Sequence, residues 1–298
     1  MQNLPRLIAI VGTNASGKSS LGVRLAEKFG GEIVSADSRQ VFRGLDLGSG
    51  KIAPEETRGV RHHLLDVVSP NEFYSMADFQ RQAYSAIDGI LSRGKIPFLV
   101  GGTGLYVASV TEGYVLSDRM PNLDYREELE QKTTPELYEM LLKAVPDIEI
   151  DRSNRNRVMR ALEKLESGDT QAPSREKRYK TLKIGVSWDR ETLKKRIDER
   201  LDKRMKAGMV DEVRRLMDEG ASVEFLMKLG LEYRFLTRYL LGEFASEEEM
   251  TEELSRAIKK FAKRQMTWFR RDEEIRWISM ENDPFSEACE MIGQFLND

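Results

Sequence analysis

The sequence predicts an α/β fold in which a parallel sheet is flanked by helices and interrupted by a small all-helical insertion domain. Apolar runs of strand length alternate with amphipathic helical patterns over the first third of the chain. Polar, helix-forming sequence replaces this alternation from about residue 118 to 180, and an apolar strand pattern returns at Leu182–Trp188. We therefore predict a core formed by residues 1–118 and 181–298, with the helical insertion over residues 119–180.

The composition is that of a soluble globular protein. The chain has 298 residues, of which 40% are hydrophobic and 33% are charged, and its formal net charge of −3 favours no particular partner. No apolar run approaches the roughly 20 residues of a membrane-spanning helix, so we expect no membrane association. The single cysteine, Cys289, excludes an intramolecular disulfide framework. A cytoplasmic location is the resulting expectation.

The first strand pattern, Ile8–Val11, leads through a glycine-bounded loop into a helix pattern at Leu21–Phe29. The loop has the spacing G-x-x-x-x-G-K-S and consists of Gly12, Thr13, Asn14, Ala15, Ser16, Gly17, Lys18 and Ser19. This spacing between a strand and a helix is that of a phosphate-binding loop, in which backbone N–H groups and the helix N-terminus surround an anion. Lys18 adds a full charge, and the Ser19 hydroxyl is placed to hold Mg²⁺. The sequence therefore predicts a P-loop NTPase-like core that binds a phosphorylated small molecule.

A carboxylate follows the second strand pattern, Glu32–Ala36. Residues just beyond the carboxyl ends of parallel strands line the ligand crevice, so Asp37 is expected near the phosphate loop. Two functional roles suit it there: a Mg²⁺ ligand, directly or through water, or a general base. The alternative is an aspartate that caps the next helix.

A glycine-rich turn, Gly101–Tyr106, follows the third strand pattern, Ile96–Val100. Small residues at this position allow the backbone to approach a ligand, and Thr103 supplies a hydroxyl. Between these strands, His62 and His63 are candidate metal ligands. No third ligand stands at metal-site spacing, which favours a structural or substrate-orienting role.

The insertion carries a cluster of arginines. Helix patterns cover Leu123–Leu142 and Asn156–Glu166, and a linker rich in Gly, Pro, Ser and Lys covers Gly168–Lys180. The clustered arginines are Arg152, Arg155, Arg157 and Arg160. They form either a solvated helix face or a set of phosphate contacts.

Two basic helices are predicted in the second part of the core. Asp189 caps a helix in which Arg196, Arg200 and Arg204 share one face, either paired with nearby carboxylates or facing phosphate. A second helix covers Leu254–Arg271. Its polar side carries Arg256, Lys259, Lys260, Lys263, Arg264, Arg270 and Arg271. So dense a basic face is typical of a surface for a nucleic-acid backbone, and the alternative is an ordinary solvated face.

In these motifs the chain resembles the tRNA dimethylallyltransferase (tRNA isopentenyltransferase) family. The resemblance is carried, in the family's order and over nearly the whole chain, by Gly12–Ser19, Ser35–Gly44, His62–Leu64, Gly101–Tyr106, Asn156–Glu163 and Ala262–Arg270. It departs from the family pattern at Thr13 and Asn14, where Pro and Thr are usual. It departs again at Leu231-Glu232-Tyr233, where Tyr-Lys-Glu is usual.

The resemblance implies transfer of the dimethylallyl group from dimethylallyl diphosphate to N6 of the adenine 3′-adjacent to the anticodon in tRNA, with release of diphosphate. It implies that Gly12–Ser19 hold the diphosphate, that Asp37 is the general base and that Thr103 contacts the target nucleotide. One arginine of the pair Arg196 and Arg200 would clamp the diphosphate, and we favour Arg200. The residues implied to contact the anticodon stem-loop are Asp37, Ser38, Arg39, Gln40, Thr103, Arg126, Asn156, Arg157, Arg160, Lys263 and Arg264.

The expected cofactor is Mg²⁺, held by Ser19 and by Asp37 through water, and the expected state is a monomer. Three other interpretations stay open at this point. A P-loop small-molecule kinase explains residues 8–20 and Asp37, but not the glycine turn or the basic helix. An adenylate isopentenyltransferase, which acts on a free nucleotide, does not explain the arginine-rich insertion. An RNA-binding module with a regulatory nucleotide needs no carboxylate beside the loop.

Overall fold

The computed structural model describes residues 4–116, 122–169 and 174–298. The chain divides into two compact units, Met1–Gly113 with Glu176–Asp298, and Tyr114–Arg175. We call the first the core unit and the second the insertion unit. The predicted domain boundary at residues 118/119 lies outside the described residues, as does the part of the predicted linker at residues 170–173.

In the described part of the core unit, six parallel strands form one sheet. They are β1 (Arg6–Gly12), β2 (Glu32–Ser35), β3 (His62–His63), β4 (Pro97–Gly101), β5 (Lys180–Ser187) and β6 (Ile275–Ser279). Their spatial order is β3-β2-β4-β1-β5-β6. Strand β1 is an inner strand, because Ile10 is paired with Val100 of β4 on one side and with Ile184 of β5 on the other.

The helices of the described residues follow in chain order. They are α1 (Lys18–Lys28), α2 (Met76–Ser92), α3 (Gly104–Thr111), α4 (Leu123–Glu130), α5 (Thr134–Ala144), α6 (Arg155–Glu166), α7 (Arg190–Lys206), α8 (Met209–Asp218), α9 (Val223–Leu229), α10 (Leu231–Leu240), α11 (Glu247–Phe269) and α12 (Pro284–Asn297). Helices α4 to α6 belong to the insertion unit. None of the helices described is both long and apolar enough to cross a membrane.

The core unit is built in layers on the two faces of the sheet. Ile8 and Ile10 of β1 lie in a buried cluster with α1 and α12, whereas Leu7 and Ala9 lie in a second cluster with α2 and α3. Because both faces are covered, the inner strand β1 appears in the sequence as a continuous apolar run over residues 7–11. A third cluster joins helices α7 to α11. The carboxyl ends of the strands all meet at one edge of the sheet, where ligand crevices form.

The predicted α/β fold with a parallel sheet is confirmed, and the four predicted strands are present. The single helix predicted over Leu123–Leu142 is wrong. Helix α4 ends at Glu130, and Thr133 begins a new helix by accepting from the backbone of Glu136 in a reciprocal capping box. Strands β3 and β6 and helices α3, α8, α9, α10 and α12 were not predicted.

Candidate active site

The loop Gly12–Ser19 connects β1 to α1 at the carboxyl edge of the sheet. Gly17 has φ of 86°, a conformation that favours glycine, and Ala15 adopts φ of 59° at some cost in strain. Lys18 closes the loop by donating from Nζ to the carbonyl oxygen of Thr13 at 3.1 Å. The Ser16 hydroxyl is buried and has no hydrogen-bond partner among the described residues. The loop therefore presents a cation and a free buried hydroxyl at the N-terminus of a helix.

Three side chains from the C-terminal half fix this loop from outside. Arg196 Nε donates to the carbonyl of Ala15 at 3.1 Å, and Trp188 Nε1 donates to the carbonyl of Ser16 at 3.0 Å. The Arg196 guanidinium also lies 4.6 Å from the centre of the Trp188 ring. Gln265 of α11 accepts from the backbone N–H of Asn14 at 2.9 Å. The strained conformation at Ala15 is thus held by contacts on its own carbonyl and on its neighbours.

Asp37 follows β2 and is only 8% exposed. One carboxylate oxygen accepts from the backbone N–H of Arg39 at 2.9 Å and lies 3.5 Å from the Arg39 guanidinium. Residues 38–41 form a turn, so the alternative prediction that Asp37 caps a helix is wrong. Burial acts to raise the pKa of Asp37, but the charges of Arg39 and Lys18 outweigh burial and hold the pKa below its ordinary value.

Thr103 connects the ends of β4 and β2. Its hydroxyl oxygen accepts from the backbone N–H of Ser38 at 3.1 Å and lies 3.5 Å from the Ser38 hydroxyl. Parallel strands that are neighbours in a sheet place their carboxyl ends together, which explains why residues 65 positions apart meet here. The predicted acceptor-side residues Asp37, Ser38 and Thr103 therefore stand at one place.

A buried network of arginines surrounds the site. Glu232 of α10 accepts from Arg39 at 2.9 Å and lies 3.5 Å from the guanidinium of Arg204. Arg200 donates to the carbonyl of Gly50 at 3.3 Å. Four cations, Lys18, Arg39, Arg200 and Arg204, thus face two carboxylates, Asp37 and Glu232.

The excess of positive charge lowers the pKa values of two of these cations. Burial and the charge of Arg200 lower the pKa of Lys18 to about 8. Burial and the charge of Arg204 lower the pKa of Arg200 to about 10. Such a cluster is costly without a counter-charge, so the site is suited to an anionic ligand.

A cavity connects these groups. Its lining includes Lys18, Ser19, Asp37, Gln40, His62 and Arg200. The Gln40 amide is held inside the protein, because it accepts from the Ser35 hydroxyl at 3.0 Å and donates to the carbonyl of Gly50 at 3.2 Å. His62 bonds through Nδ1 to the carbonyl of Val60 at 2.9 Å.

His63 lies apart from this cavity lining and pairs with the buried Glu32 at 2.7 Å. Arg93 and Lys95 also bind Glu32, at 2.7 and 2.9 Å, and together these hydrogen bonds hold the pKa of Glu32 at about 2 against the effect of burial. The structural interpretation of the histidine pair therefore applies to His63.

The cavity also offers oxygen ligands that suit a magnesium ion. In the part of the chain that the structure describes, no group of three or more His, Cys, Asp or Glu could hold a metal ion by itself. Mg²⁺ usually keeps several waters and binds through one or two protein oxygens and substrate phosphates. The Ser19 hydroxyl and the Asp37 carboxylate, both lining a cavity beside a cationic loop, fit this requirement.

The remaining predicted RNA contacts lie in two separate places. Lys263 and Arg264 are exposed on α11 in the core unit. In the insertion unit, Asn156, Arg157 and Arg160 are exposed on α6. There Arg126 and Arg160 both bind the buried Glu163, at 3.1 and 3.2 Å.

Arg155 has a structural function in the insertion unit. Its guanidinium donates to the carbonyls of Leu129 and Glu130 at the end of α4. These carbonyls belong to the last turn of a helix, where no partner exists within the helix itself. Arg155 is therefore neither part of a solvated helix face nor available as a phosphate contact, the two interpretations of the arginine cluster.

Sequence reasoning missed Gln265 and Glu232 as members of the site. Gln265 falls on the otherwise apolar side of α11, and a polar residue on a buried helix face is a signal that could have identified it. Glu232 was noted only as a departure from a family pattern. The structure places it between two guanidiniums that the sequence had placed on separate elements.

Comparisons with known proteins extend over nearly the whole chain. A family model described as IPP transferase matches residues 40–272. A protein of Shewanella sediminis named tRNA dimethylallyltransferase 2 is 42% identical over 295 residues, covering 96% of this chain and 97% of that protein. A tRNA dimethylallyltransferase of Streptococcus equi is 40% identical and covers 98% of each chain.

Solved structures also match over nearly the whole chain. The crystal structure of a tRNA isopentenylpyrophosphate transferase from Bacillus halodurans is 38% identical, with a TM-score of 0.74 and coverage of 98% of this chain and 95% of that one. A eukaryotic dimethylallyltransferase acting on tRNA is 25% identical, with a TM-score of 0.81 and coverage of 98% and 80%. These matches confirm the predicted P-loop NTPase-like fold.

Proposed function

The chain belongs to the IPP transferase family, and we propose that it transfers the dimethylallyl group of dimethylallyl diphosphate to N6 of the adenine 3′-adjacent to the anticodon in tRNA. The observation that carries the proposal is the juxtaposition of a buried, positively charged loop with an ionised carboxylate. The loop suits a diphosphate leaving group, and Asp37 suits the proton that the acceptor amine must lose.

In the reaction, N6 of adenine attacks C1 of the allylic group. The bond between C1 and the diphosphate oxygen breaks, its electron pair leaves with diphosphate, and one N6 proton passes to the Asp37 carboxylate. The low pKa of Asp37 keeps it ionised at neutral pH, ready to accept that proton. Because an adenine in a stacked loop cannot reach a buried carboxylate, the base must leave its stack.

The leaving diphosphate is stabilised by the loop and by Arg200. Lys18 lines the cavity at the N-terminus of α1, and fixed charges aimed at a developing anion are a large source of catalysis. Arg200 lines the cavity with Lys18, whereas Arg196 is engaged with Ala15 and Trp188, which supports Arg200 as the diphosphate clamp. Mg²⁺ held by Ser19, and by Asp37 through water, would add charge neutralisation to the diphosphate.

The acceptor RNA would be held by several groups around this centre. Thr103 would contact the target nucleotide, since its hydroxyl stands beside the turn that follows Asp37. Arg39 and Gln40 already have partners inside the protein, so we assign them to ordering the Asp37–Gln40 turn that the RNA meets. The proposed backbone contacts are Lys263 and Arg264 on α11 and Arg126, Asn156, Arg157 and Arg160 on the insertion unit.

A transfer assay tests this function. Purified protein, Mg²⁺ and radiolabelled dimethylallyl diphosphate are incubated with an unmodified anticodon stem-loop bearing that adenine, and in parallel with AMP and with ATP. We expect label on the stem-loop alone, and a stem-loop with guanine at that position is the matched control. Label on AMP or ATP would instead identify a free-nucleotide prenyltransferase. ATP hydrolysis without label on any acceptor would favour a kinase.

Two further features belong to the proposal. We expect a monomer, to be measured by light scattering with and without RNA. We also expect a cytoplasmic location, since both tRNA and the allylic donor would be met there.

A further inference from the structure

Gln265 is a polar residue on the buried face of α11, and it is only 7% exposed. Its side-chain amide forms hydrogen bonds with two loops. Its oxygen accepts the N–H of Asn14 at 2.9 Å, and its nitrogen donates to the carbonyl of Gly102 at 2.9 Å and lies 3.5 Å from the side-chain oxygen of Asn14. One side chain thus joins the loop after β1 to the turn after β4.

The fit around this amide is close on the Gly102 side. A Cβ atom at Gly102 would stand 2.9 Å from the Gln265 nitrogen and 3.3 Å from the Lys18 ammonium. The absence of a side chain at this position therefore allows the turn to approach both the amide and the loop. The amide has one possible orientation, because its oxygen faces a donor and its nitrogen faces two acceptors.

We propose that Gln265 is a positioning residue that sets the distance between the two substrates. The inference rests on the proposed function, in which the loop containing Asn14 holds the diphosphate and the turn containing Gly102 and Thr103 holds the acceptor nucleotide. Gln265 touches neither substrate. It fixes the separation of their two holders, and so the approach of N6 to C1.

A bridge of this kind acts on the rate of reaction more than on binding. Each holder keeps its own ligand contacts when the bridge is lost, so each substrate still binds. Transfer requires the two reacting atoms to be aligned within a few tenths of an ångström, and a displacement of about 1 Å costs on the order of 100-fold in rate. The expected signature is therefore a fall in kcat with KM values nearly unchanged.

The test compares Gln265→Met with Gln80→Met. Gln80 is also 7% exposed, and its amide donates to the carbonyl of Ser109 at 2.7 Å between α2 and α3, outside the two loops. Both changes remove a buried amide and should destabilise the protein similarly in urea unfolding. We expect Gln265→Met to lower the single-turnover rate about 100-fold, with both KM values within about threefold of wild type, and Gln80→Met to leave the rate unchanged.

A second variant covers the case in which Gln265→Met does not fold. Gln265→Asn keeps a neutral amide but is one methylene shorter, so it cannot reach both the N–H of Asn14 and the carbonyl of Gly102. We expect this variant to lose rate as well, while a non-reactive donor analogue still binds.

Three outcomes would overturn the inference: an unchanged rate in both Gln265 variants, a raised donor KM with unchanged kcat, or an equal loss of rate in Gln80→Met. A wild-type protein that transfers nothing in the same assay would overturn the proposed function instead.

Discussion

At the scale of single residues, the proposed chemistry depends first on Asp37. Replacing it with asparagine keeps its shape and removes the proton acceptor. We expect Asp37→Asn to lower the single-turnover rate on the order of 100- to 10,000-fold at saturating donor and Mg²⁺. Asp211→Asn, at an exposed position where the carboxylate pairs with Arg214, is the control. A rate within tenfold of wild type would mean that another group, or water, accepts the proton.

The charge of Lys18 makes donor binding depend on pH. Because burial and Arg200 lower its pKa to about 8, the ammonium is charged below this pH and loses its charge as the pH rises through it. Attraction for the diphosphate is therefore nearly complete at pH 7 and falls as the pH rises through about 8. We expect the donor KM to rise between pH 7.5 and 9.5, measured at saturating RNA.

Lys18→Arg provides the control for this titration. The guanidinium stays charged throughout this range, so the variant should bind donor more weakly overall but without the alkaline change in KM. A wild-type donor KM that is flat from pH 7 to 9.5 would contradict the assignment of the titration to Lys18.

The residues of the site were predictable where a local motif carries them. The loop Gly12–Ser19, Asp37 and Thr103 each follow a strand directly, and the geometry of a parallel sheet is enough to bring them together. Gln265 and Glu232 were not predictable in this way, since their partners Asn14 and Arg39 lie 251 and 193 positions away. A bond across such a separation leaves no periodic pattern in the sequence.

At the scale of elements, the loop after β2 depends on one buried carboxylate. Glu212 of α8 accepts from the backbone N–H groups of Asp46, Leu47 and Gly48 and from the Tyr233 hydroxyl, at distances from 2.6 to 3.1 Å. Arg204 donates to the carbonyls of Leu47 and Gly48. This part of the loop leads to Gly50, which lines the cavity.

Removing this carboxylate should cost stability. Glu212→Ala leaves three backbone N–H groups, of which that of Gly48 is buried, and the buried Tyr233 hydroxyl without their acceptor, so we expect a loss of about 3 kcal/mol in the free energy of unfolding, measured in urea. The donor KM should also rise, because the Gly50 carbonyl would move from Arg200. Glu219→Ala, an exposed glutamate near the end of the same helix, should change neither quantity, and an equal effect of both variants would contradict this role.

Helix α11 has two functional sides. Its buried side holds the loop Gly12–Ser19 through Gln265, and its exposed side carries positive charge. If Lys263 and Arg264 contact RNA phosphates, replacing both with alanine should weaken stem-loop binding. The slope of log affinity against log salt concentration should fall in magnitude by about 1.4 to 1.8, as expected for two lost contacts. Lys206→Ala, on α7 and paired with Asp202, is the control. An unchanged slope would mean that the RNA phosphates do not contact Lys263 and Arg264.

Element prediction succeeded for long apolar or periodic segments and failed for short ones. Strand β3 has two residues and is recognised only by its pairing with β2. Strand β6 is a five-residue edge strand whose buried residues, Ile275 and Ile278, stand three positions apart, so it lacks the two-residue alternation that identifies a strand. The break between α4 and α5 depends on the capping box at Thr133, which the apolar spacing on either side conceals.

At the scale of the whole molecule, the insertion unit is separable from the core unit. It has its own buried cluster, which includes Leu129, Leu137, Leu141, Val158, Met159 and Leu162. In the core unit, the N–H of Glu176 donates to the carbonyl of Gly113 at 2.7 Å, so the two chain ends that flank the insertion are adjacent. A linker of about four residues can span such a pair.

Excising residues 115–174 and joining the ends with glycine and serine therefore tests whether the core unit binds the donor and the insertion unit binds the RNA. The loop Gly12–Ser19, Asp37 and the arginine network all belong to the core unit. We expect binding of a donor analogue to stay within about threefold of the full chain, whereas the KM for the stem-loop should rise at least about tenfold. Calorimetry of the analogue and kinetics with RNA measure the two quantities. Loss of analogue binding by a folded variant would assign part of the donor site to the insertion.

The position of β1 within the sheet has a consequence for how the protein is made. This strand is synthesised first, yet one neighbour, β5, lies about 170 residues further along, and Gln265 follows later still. A ribosome adding 5 to 20 residues per second needs roughly 9 to 35 s to reach β5 and roughly 13 to 50 s to reach Gln265. During that interval one edge of a strand that is apolar over residues 7–11 has no partner, and the loop beside it lacks the amide that fixes its shape. The nascent chain must be protected from aggregation during this time. The loop Gly12–Ser19 reaches its final shape only when the last quarter of the protein has emerged.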